Sequence, residues 1–297
     1  MNEELLNRLL EEAQPYASAI GQNPTGIPGF LVVRRESAGE KRSFSKLYAA
    51  AVLQGSKSTT INGHTLNYGR GNLVVNCIER PSVTCIREAS AERPFLSLII
   101  ELERQELLDL AMSANTHGLR QSAPDNMQHP IFVTQADEEI LSCFLRLTQL
   151  LRKSKNEQDL LAPILKKEIY ARLAIGPLGK WILSVCTLGT RSNQISSAVE
   201  MIQSGFRKAL NVEDIARTVN MSPATFHRHF KILTGVSPLQ FLKSLRLYEA
   251  RRLILSGHSN ISQAAYDVGY ASPSQFSNDY RTAFGLSPQT DKNLHAA

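Results

Sequence analysis

Four cysteines are spread over 297 residues, at Cys77, Cys85, Cys143 and Cys186, and no two form a C-x-x-C pair. That spacing indicates neither a zinc site nor a disulfide framework, and buried, reduced thiols are the expectation. No apolar run is long enough to cross a bilayer, so no membrane partner is expected. The chain opens on the acidic, amphipathic MNEELLNRLLEEA, without a basic-then-apolar leader, which predicts a cytoplasmic location. No G-x-S-x-G, H-E-x-x-H or P-loop pattern occurs. The strand-like region holds a single histidine, His64, beside a predicted turn, whereas metal-dependent barrels need several histidines and a carboxylate on one ion. Neither catalysis nor a metal nor another cofactor is expected.

What the chain does have is a repeat. Val212, Ile215, Ala216 and Val219 mark one apolar face of a helix, and Phe226, Phe230 and Leu233 mark another after Ser222-Pro223. Ile261, Ala264, Ala265 and Val268 repeat the first helix; Ser272-Pro273, Phe276 and Tyr280 repeat the second. Both copies end on Gly-x-Ser-Pro, at Gly235 and Gly285. The first helices are offset by 49 positions and everything after the turn by 50, so the second turn is one residue longer. Asn211, Ser222 and Ser272 are candidate N-caps, and the prolines after the two serines suit a first helical position. These features predict two helix-turn-helix units, about residues 211–234 and 261–284. Between them Ser237-Pro238 starts a long helix that Gly257 ends, with Leu239, Leu242, Leu245, Leu253 and Ile254 as its buried stripe. A rod of roughly 28 Å would couple the units across successive major grooves.

The runs PATFHRHFKILTGVSPLQFLKSLRLYEARRLIL and AAYDVGYASPSQFSNDYRTAFGLSP closely resemble the DNA-binding domain of the AraC/XylS transcription regulators. The resemblance covers about one hundred residues, Gln194 to Pro288. It implies a seven-helix domain with two recognition helices, acting on double-stranded promoter DNA together with RNA polymerase, usually as an activator. In a recognition helix the N-terminal residues face the groove. With Phe226 and Phe230 in the core, Ala224, Thr225, His227 and Arg228 lie towards DNA; with Phe276 and Tyr280 in the core, Ser274, Gln275, Ser277 and Asn278 do. Matching the family motif puts base contacts on Ala224, His227, Arg228, Ser274, Gln275 and Asn278. Ala224 departs from the larger group relatives often carry and offers only a thymine methyl contact; Asn278 replaces an arginine found in many members, so the second unit reads fewer bases and the first is expected to dominate specificity. Lys231 is read as a phosphate contact, and Arg281 completes the DNA-binding set.

Charge follows the same division. From Thr190 onward 12 Lys or Arg stand against 7 Asp or Glu, while residues 1 to 189 hold 21 against 20. The surplus sits where phosphates would be. Arg246, Arg251 and Arg252 on the connecting helix are either solvated charge or further phosphate contacts.

Residues 3 to 20 read as a helix with Leu5, Leu6, Leu9 and Leu10 on one side. From Phe30 short apolar or alternating runs follow, separated by Gly, Pro and Asn; Asn62-Gly63 is a strong hairpin signal. A small cupin-like barrel is expected from about Gly29 to Leu102. GIPGFLVVRR, VLQGSKSTTINGHTLNYGRGNLVV and EASAERPFLSLIIEL look like the N-terminal domain of one AraC-type subgroup, which implies a regulatory barrel, in many relatives one that senses a small-molecule effector. A polar loop, Asn115 to Pro130, then precedes two amphipathic helices. One carries Ile140, Leu141, Phe144, Leu147 and Leu151; the other runs Asp159 to Ala174. They pack on their own barrel or form a homodimer seam, which the resemblance favours. Trp181 is an interdomain contact or a core anchor. The fold expected is α+β: a cupin-like barrel with a helical dimerisation segment over 1–189, and an all-α DNA-binding domain over 190–297. The alternative is a cupin-like enzyme fused to a DNA-binding module, or a regulator whose barrel is only a scaffold.

Overall fold

The computed structural model describes residues 2–116, 129–187 and 189–295. It divides into two compact units at Asn193/Gln194, with Arg42–Phe44 grouped with the second. Most of the polar loop expected over 115–130 lies outside the described residues.

The first unit opens with α1 (Asn2–Ala13), followed by β1 (Gly21–Pro24), β2 (Phe30–Arg35), β3 (Gly39–Ser45), β4 (Tyr48–Gln54), β5 (Ser56–Ile61), β6 (His64–Gly69), β7 (Asn72–Asn76), β8 (Arg80–Glu88) and β9 (Phe95–Glu101). Then come α2 (Arg104–Thr116), β10 (Ile131–Gln135), α3 (Glu138–Leu150), α4 (Lys155–Ile175) and α5 (Gly179–Ser184). The strands form a six-stranded sheet, ordered β1-β2-β9-β4-β7-β10, and a four-stranded sheet, ordered β3-β8-β5-β6. Every pairing in the larger sheet is antiparallel.

The sheet exceeds the span expected from sequence at both ends. β1 pairs Gly21–Pro24 with β2, inside a stretch whose glycines and proline read only as turn. β10 pairs Ile131–Gln135 with Asn72–Asn76. Ile131 to Thr134 are all strand-favouring residue types, but the run is short and isolated between a polar loop and a helix, and its partner lies some sixty positions earlier. The helix expected over 3–20 stops at Ala13, where Pro15 leaves only a 3-10 turn. Leu6 and Leu9 are buried as expected. β4 is apolar from Ala49 to Leu53 because both its faces are covered: Ala50 and Val52 join the inter-sheet core, while α1 packs on β4. The Asn62-Gly63 turn has both residues at positive φ, 49° and 80°, which joins β5 to β6 with Ile61 opposite His64. His64 is exposed.

α3 is capped by Asp137 and buries Ile140, Leu141, Phe144 and Leu147. Leu147 is wholly inside its own unit, so it belongs to no intermolecular seam. α4 starts four residues before its expected position, because Ser154 and Glu157 form a capping box. Its apolar stripe splits: Ile169 and Leu173 are buried, whereas Leu160, Leu161 and Ile164 face solvent. Trp181 stacks on Phe132 at 5.1 Å, an anchor within the first unit. Three cysteines are buried and Cys85 is half-buried; all four are free.

The second unit is helical: α6 (Arg191–Gly205, which crosses the division), α7 (Val212–Thr218), α8 (Pro223–Thr234), α9 (Pro238–Leu255), α10 (Ile261–Asp267), α11 (Pro273–Phe284) and α12 (Pro288–His295). α9 is the connecting rod, about 27 Å long at 1.5 Å per residue. Its buried face is Phe241, Leu247, Ala250 and Ile254; Leu242, Leu245 and Leu253 are only partly buried, and Leu239 is 59% exposed. The stripe is rotated from the one read off the leucines, because Phe241 packs edge-on to Phe230 at 5.4 Å and fixes the rod's roll.

A buried carboxylate ties three of these helices together. Asp291 of α12 accepts from Arg251 Nε at 2.7 Å and Nη2 at 3.0 Å, both from α9, and from the Tyr280 hydroxyl of α11 at 2.6 Å. Burial works to raise the Asp291 carboxyl, but the Arg251 and Tyr280 hydrogen bonds and the Arg251 charge outweigh it and hold it below its ordinary value. Its contribution to stability is therefore complete above the unfolded carboxylate range and is lost as pH falls through the depressed folded value. Asp291→Ala is expected to destabilise the helical unit by about 3 kcal/mol at neutral pH, the lower end for breaking a buried pair because Arg251 is partly exposed. Urea unfolding followed by helical circular dichroism measures it, and the gap between variant and parent should close in strong acid.

Candidate nucleic-acid interface

Each helix pair is built by its caps. Asn211 accepts from the Glu213 amide and starts α7; Ser222 accepts from the Thr225 amide and starts α8, with Pro223 at the first position. Asn260 and Ser272 do the same for α10 and α11, accepting from the Gln263 and Gln275 amides. Gly235 and Gly285, at φ 82° and 77°, close α8 and α11 through amides bonded to the Lys231 and Arg281 carbonyls. The two tight turns also match. The Met221 amide donates to Ala216 O and the Tyr270 amide to Ala265 O, at 2.9 and 3.0 Å. The residue before each is left-handed: Asn220 at φ 57°, Gly269 at φ 90°. Asparagine is among the few non-glycine residues that adopt this conformation readily, so the first turn does without glycine. The extra residue of the second turn is thus Ala271, after the turn proper.

Phe226, Phe230, Phe276 and Tyr280 are all fully buried, as the helical spacing required. That leaves Ala224, His227, Arg228 and Lys231 exposed on α8, and Ser274, Gln275, Asn278 and Arg281 exposed on α11. Thr225 and Ser277 are half-buried. The Thr225 hydroxyl accepts from Ser222 at 2.9 Å, and the Ser277 hydroxyl donates to Pro273 O at 2.9 Å, so both hydroxyls are engaged within their own helices. The α8 sequence contains no carboxylate, whereas Asp279 of α11 is paired with Lys243 of α9 at 2.6 Å.

The arginines of α9 do a different job from one half of their sequence reading. Arg246 donates to the Phe206 and Lys208 carbonyls at 2.7 and 2.9 Å, holding the α6–α7 connection. Arg251 grips Asp291, and Arg252 pairs with Glu249 at 2.8 Å. Arg246 and Arg251 are engaged inside the unit, whereas Arg252 keeps a largely solvated side chain, 62% exposed, beside Glu249. Sequence reading missed Asn220 and Asp291 and the carbonyl-holding role of Arg246; only a polar residue in the glycine's place at the first turn hinted at the first of them. Among the described residues no group of three or more His, Cys, Asp or Glu could hold a metal, and no helix is long and apolar enough to cross a membrane.

The second unit thus carries two capped helix-turn-helix pairs, each with a polar, outward-facing second helix, and the chain as a whole joins this to a unit of two sheets. Comparison with known proteins agrees. Residues 26–181, more than half of the chain, match the AraC-type transcriptional regulator N-terminus, and residues 215–293 match a helix-turn-helix domain family. The chain belongs to the AraC-type transcriptional regulators. It is similar to the lactose operon transcription activator of Staphylococcus xylosus, 27% identical over 150 residues, covering 50% of this chain and 52% of that protein. It is also similar to the transcriptional activator RhaS of Escherichia coli O139:H28, 25% identical over 174 residues, covering 58% and 62%. The chain therefore spans between half and two thirds of these relatives' length. Among solved structures, ToxT from Vibrio cholerae shares the fold, with a TM-score of 0.62 at 11% identity over 89% of this chain and 97% of that one. A ToxT structure described as bound to unsaturated fatty acid gives 0.59 at 13% identity, over 89% and 94%.

The two turns differ in what they tolerate. A Cβ on Gly269 would lie 2.6 Å from the Arg207 carbonyl oxygen, in addition to the strain of its positive φ. Gly269→Ala is expected to destabilise the helical unit by about 2 kcal/mol or more, while Asn220→Gly stays within about 0.5 kcal/mol of the parent. Chemical unfolding of both variants makes the comparison; equal losses would show that the close approach at Gly269 does not limit the fold.

Proposed function

We propose that this protein regulates transcription by binding promoter DNA as a homodimer, reading sequence mainly through α8 and less through α11. The observation that carries the reading is the pair of in-register helix-turn-helix units with outward faces of unequal charge. α8 presents His227, Arg228 and Lys231 together, with no acidic residue on the helix, whereas Arg281 is the cation of the α11 face. Arg228 pairs bidentately with guanine, Gln275 or Asn278 with adenine, and Ala224 offers a methyl contact to thymine. Lys231 and Arg281, a turn further along, meet phosphate. Thr225 and Ser277 contribute less, since their hydroxyls serve the helix. The named relatives are activators, which supports activation and, with it, contact with RNA polymerase. A DNA-reading unit without a membrane-crossing helix among the described residues supports a cytoplasmic location.

The first unit is assigned the regulatory role over residues 1–189, with the DNA-binding role over 190–297. It binds a small-molecule effector within its sheets, a reading that the fatty-acid-bound ToxT of similar fold supports. It pairs two chains through α4, where Leu160, Leu161 and Ile164 stand 72%, 45% and 63% exposed on the outer face. Beside them Arg146, Leu150, Leu161, Ile164 and Leu165 line a groove of about 310 Å³.

Binding of variants to a library of single-base site changes tests the reading of DNA. Arg228→Ala should cost about 1–3 kcal/mol on the preferred site and relax one base position, with a smaller loss for Asn278→Ala. Lys231→Ala should weaken all sequences alike and lower the salt slope by about one. Equal losses on every sequence for Arg228→Ala, or a larger loss for Asn278→Ala, would overturn the assignment. For the dimer, Ile164→Asp should convert the protein to monomer in sedimentation with its melting temperature kept, because that side chain is exposed. A parent that is already monomeric, or a variant of unchanged mass, removes the α4 seam.

A further inference from the structure

The interior of the first unit has an unusual charge composition. Arg80, on β8, is 1% exposed and heads the largest fully buried side chains among the described residues. It lies six positions before Ile86 on the same strand, so both point to the same face, and Ile86 belongs to the core between the sheets. Its electrostatic neighbours are Tyr48, from the six-stranded sheet, and Tyr68, from the four-stranded one, so the guanidinium lies between the two layers. Burial lowers Arg80 to about 10, with both phenols working to raise it, so it stays charged at neutral pH. Nη1 donates to the Pro81 carbonyl at 3.2 Å, but Nε and Nη2 have no acceptor among the described residues. Those two atoms form the edge of the guanidinium that grips a carboxylate with two parallel hydrogen bonds.

A second cation faces the same core beside the other end of β8, six residues along the strand from Arg80. Lys57 lies on β5 opposite Ile86, with its amine 6.0 Å from the Phe95 ring centre. Burial, then Arg35 and Lys41, bring it down to about 8. Neither Arg80 nor Lys57 forms an ion pair among the described residues. The core between the sheets includes Val33, Ala50, Val52, Ile61, Val74 and Phe95, and among the described residues no Asp or Glu of the first unit is buried. A buried cation that no protein group neutralises is costly, and such a group persists where a ligand supplies the missing charge.

We infer that the effector of the first unit is a small monocarboxylate with an apolar body, its carboxylate held by Arg80 Nε and Nη2 between Tyr48 and Tyr68. This rests on the effector-binding role proposed above and names the chemistry of that site. The apolar body lies along the core towards Phe95, and selectivity against neutral analogues comes from the unmatched guanidinium.

Thermal melting and calorimetry of the full chain with benzoate and octanoate, each beside its neutral amide, benzamide and octanamide, test this. The acids should raise the melting temperature of the parent and the amides should not. In Arg80→Met, which removes the charge but keeps the bulk, acid binding should weaken roughly 10- to 100-fold. The unliganded variant should melt no lower than the parent, because a lone buried charge has been removed. If acids and amides shift parent and variant alike, the unit binds an effector but not through Arg80, and the inference falls while the sensing role stands. If no compound shifts the parent, both fall. If Arg80→Met melts well below the parent and the acids do nothing, Arg80 is a framework residue, and the inference is overturned.

Discussion

A helix can hide only one side of itself, and the DNA-binding unit depends on that constraint. Rings at Phe226 and Phe230 on α8, and at Phe276 and Tyr280 on α11, stand four residues apart and are buried completely. Once they are inside, the residue two positions beyond the first ring of each helix, Arg228 or Asn278, faces out. Arg228 and Asn278 are thus presented by the burial of neighbours rather than by bonds of their own. Phe230 meets Phe241 of the rod edge-on, and Phe276 and Tyr280 share a core cluster with Leu247, Ala250 and Ile254, so the rings that aim the recognition helices also belong to the packing around α9.

Charge is used in two ways in that unit. On α8 the cations stay exposed and unneutralised by their own helix, available to phosphate and base edges. On α9 and α12 charges serve construction: Arg246 holds the Phe206 and Lys208 carbonyls, and Arg251 with Tyr280 surrounds the Asp291 carboxylate. A buried carboxylate that is fully hydrogen-bonded fixes geometry as well as sign, because each donor must arrive from one direction. Arg251 and Tyr280 come from two different helices, which makes Asp291 a joint rather than a surface pair.

The first unit obeys a different constraint. Its larger sheet is assembled from distant pairings: β2 with β9, β4 with β7, and β7 with β10. Such a sheet has an interior that no single segment defines, so residues far apart in the chain share it. Arg80, Tyr48 and Tyr68 come within electrostatic range of one another only because three strands share that interior. Dimerisation and effector binding are assigned to opposite aspects of this unit, the outer face of α4 and the space between the sheets.

The sequence alone determined the helix-turn-helix pair, because its information is local: caps, first-position prolines, closing glycines and rings at helical spacing all lie within a few residues of the atoms they control. It equally determined the outward set on α8 and α11, save the hydroxyls of Thr225 and Ser277, and the Asn62-Gly63 hairpin. What it left open were matters of long-range contact. The roll of α9 needed Phe230 to meet Phe241; leucine spacing alone pointed to Leu239, which is exposed. Leu147 and Ile164 read alike as apolar helix positions, and only packing separated a core residue from a surface one. Ile131–Gln135 became a strand through a partner at Asn72–Asn76. The roles of Arg251 and Arg80 were decided by Asp291 in one case and by the lack of any such partner in the other, since the free energy of a buried charge depends on what surrounds it in space and not on its neighbours in the chain.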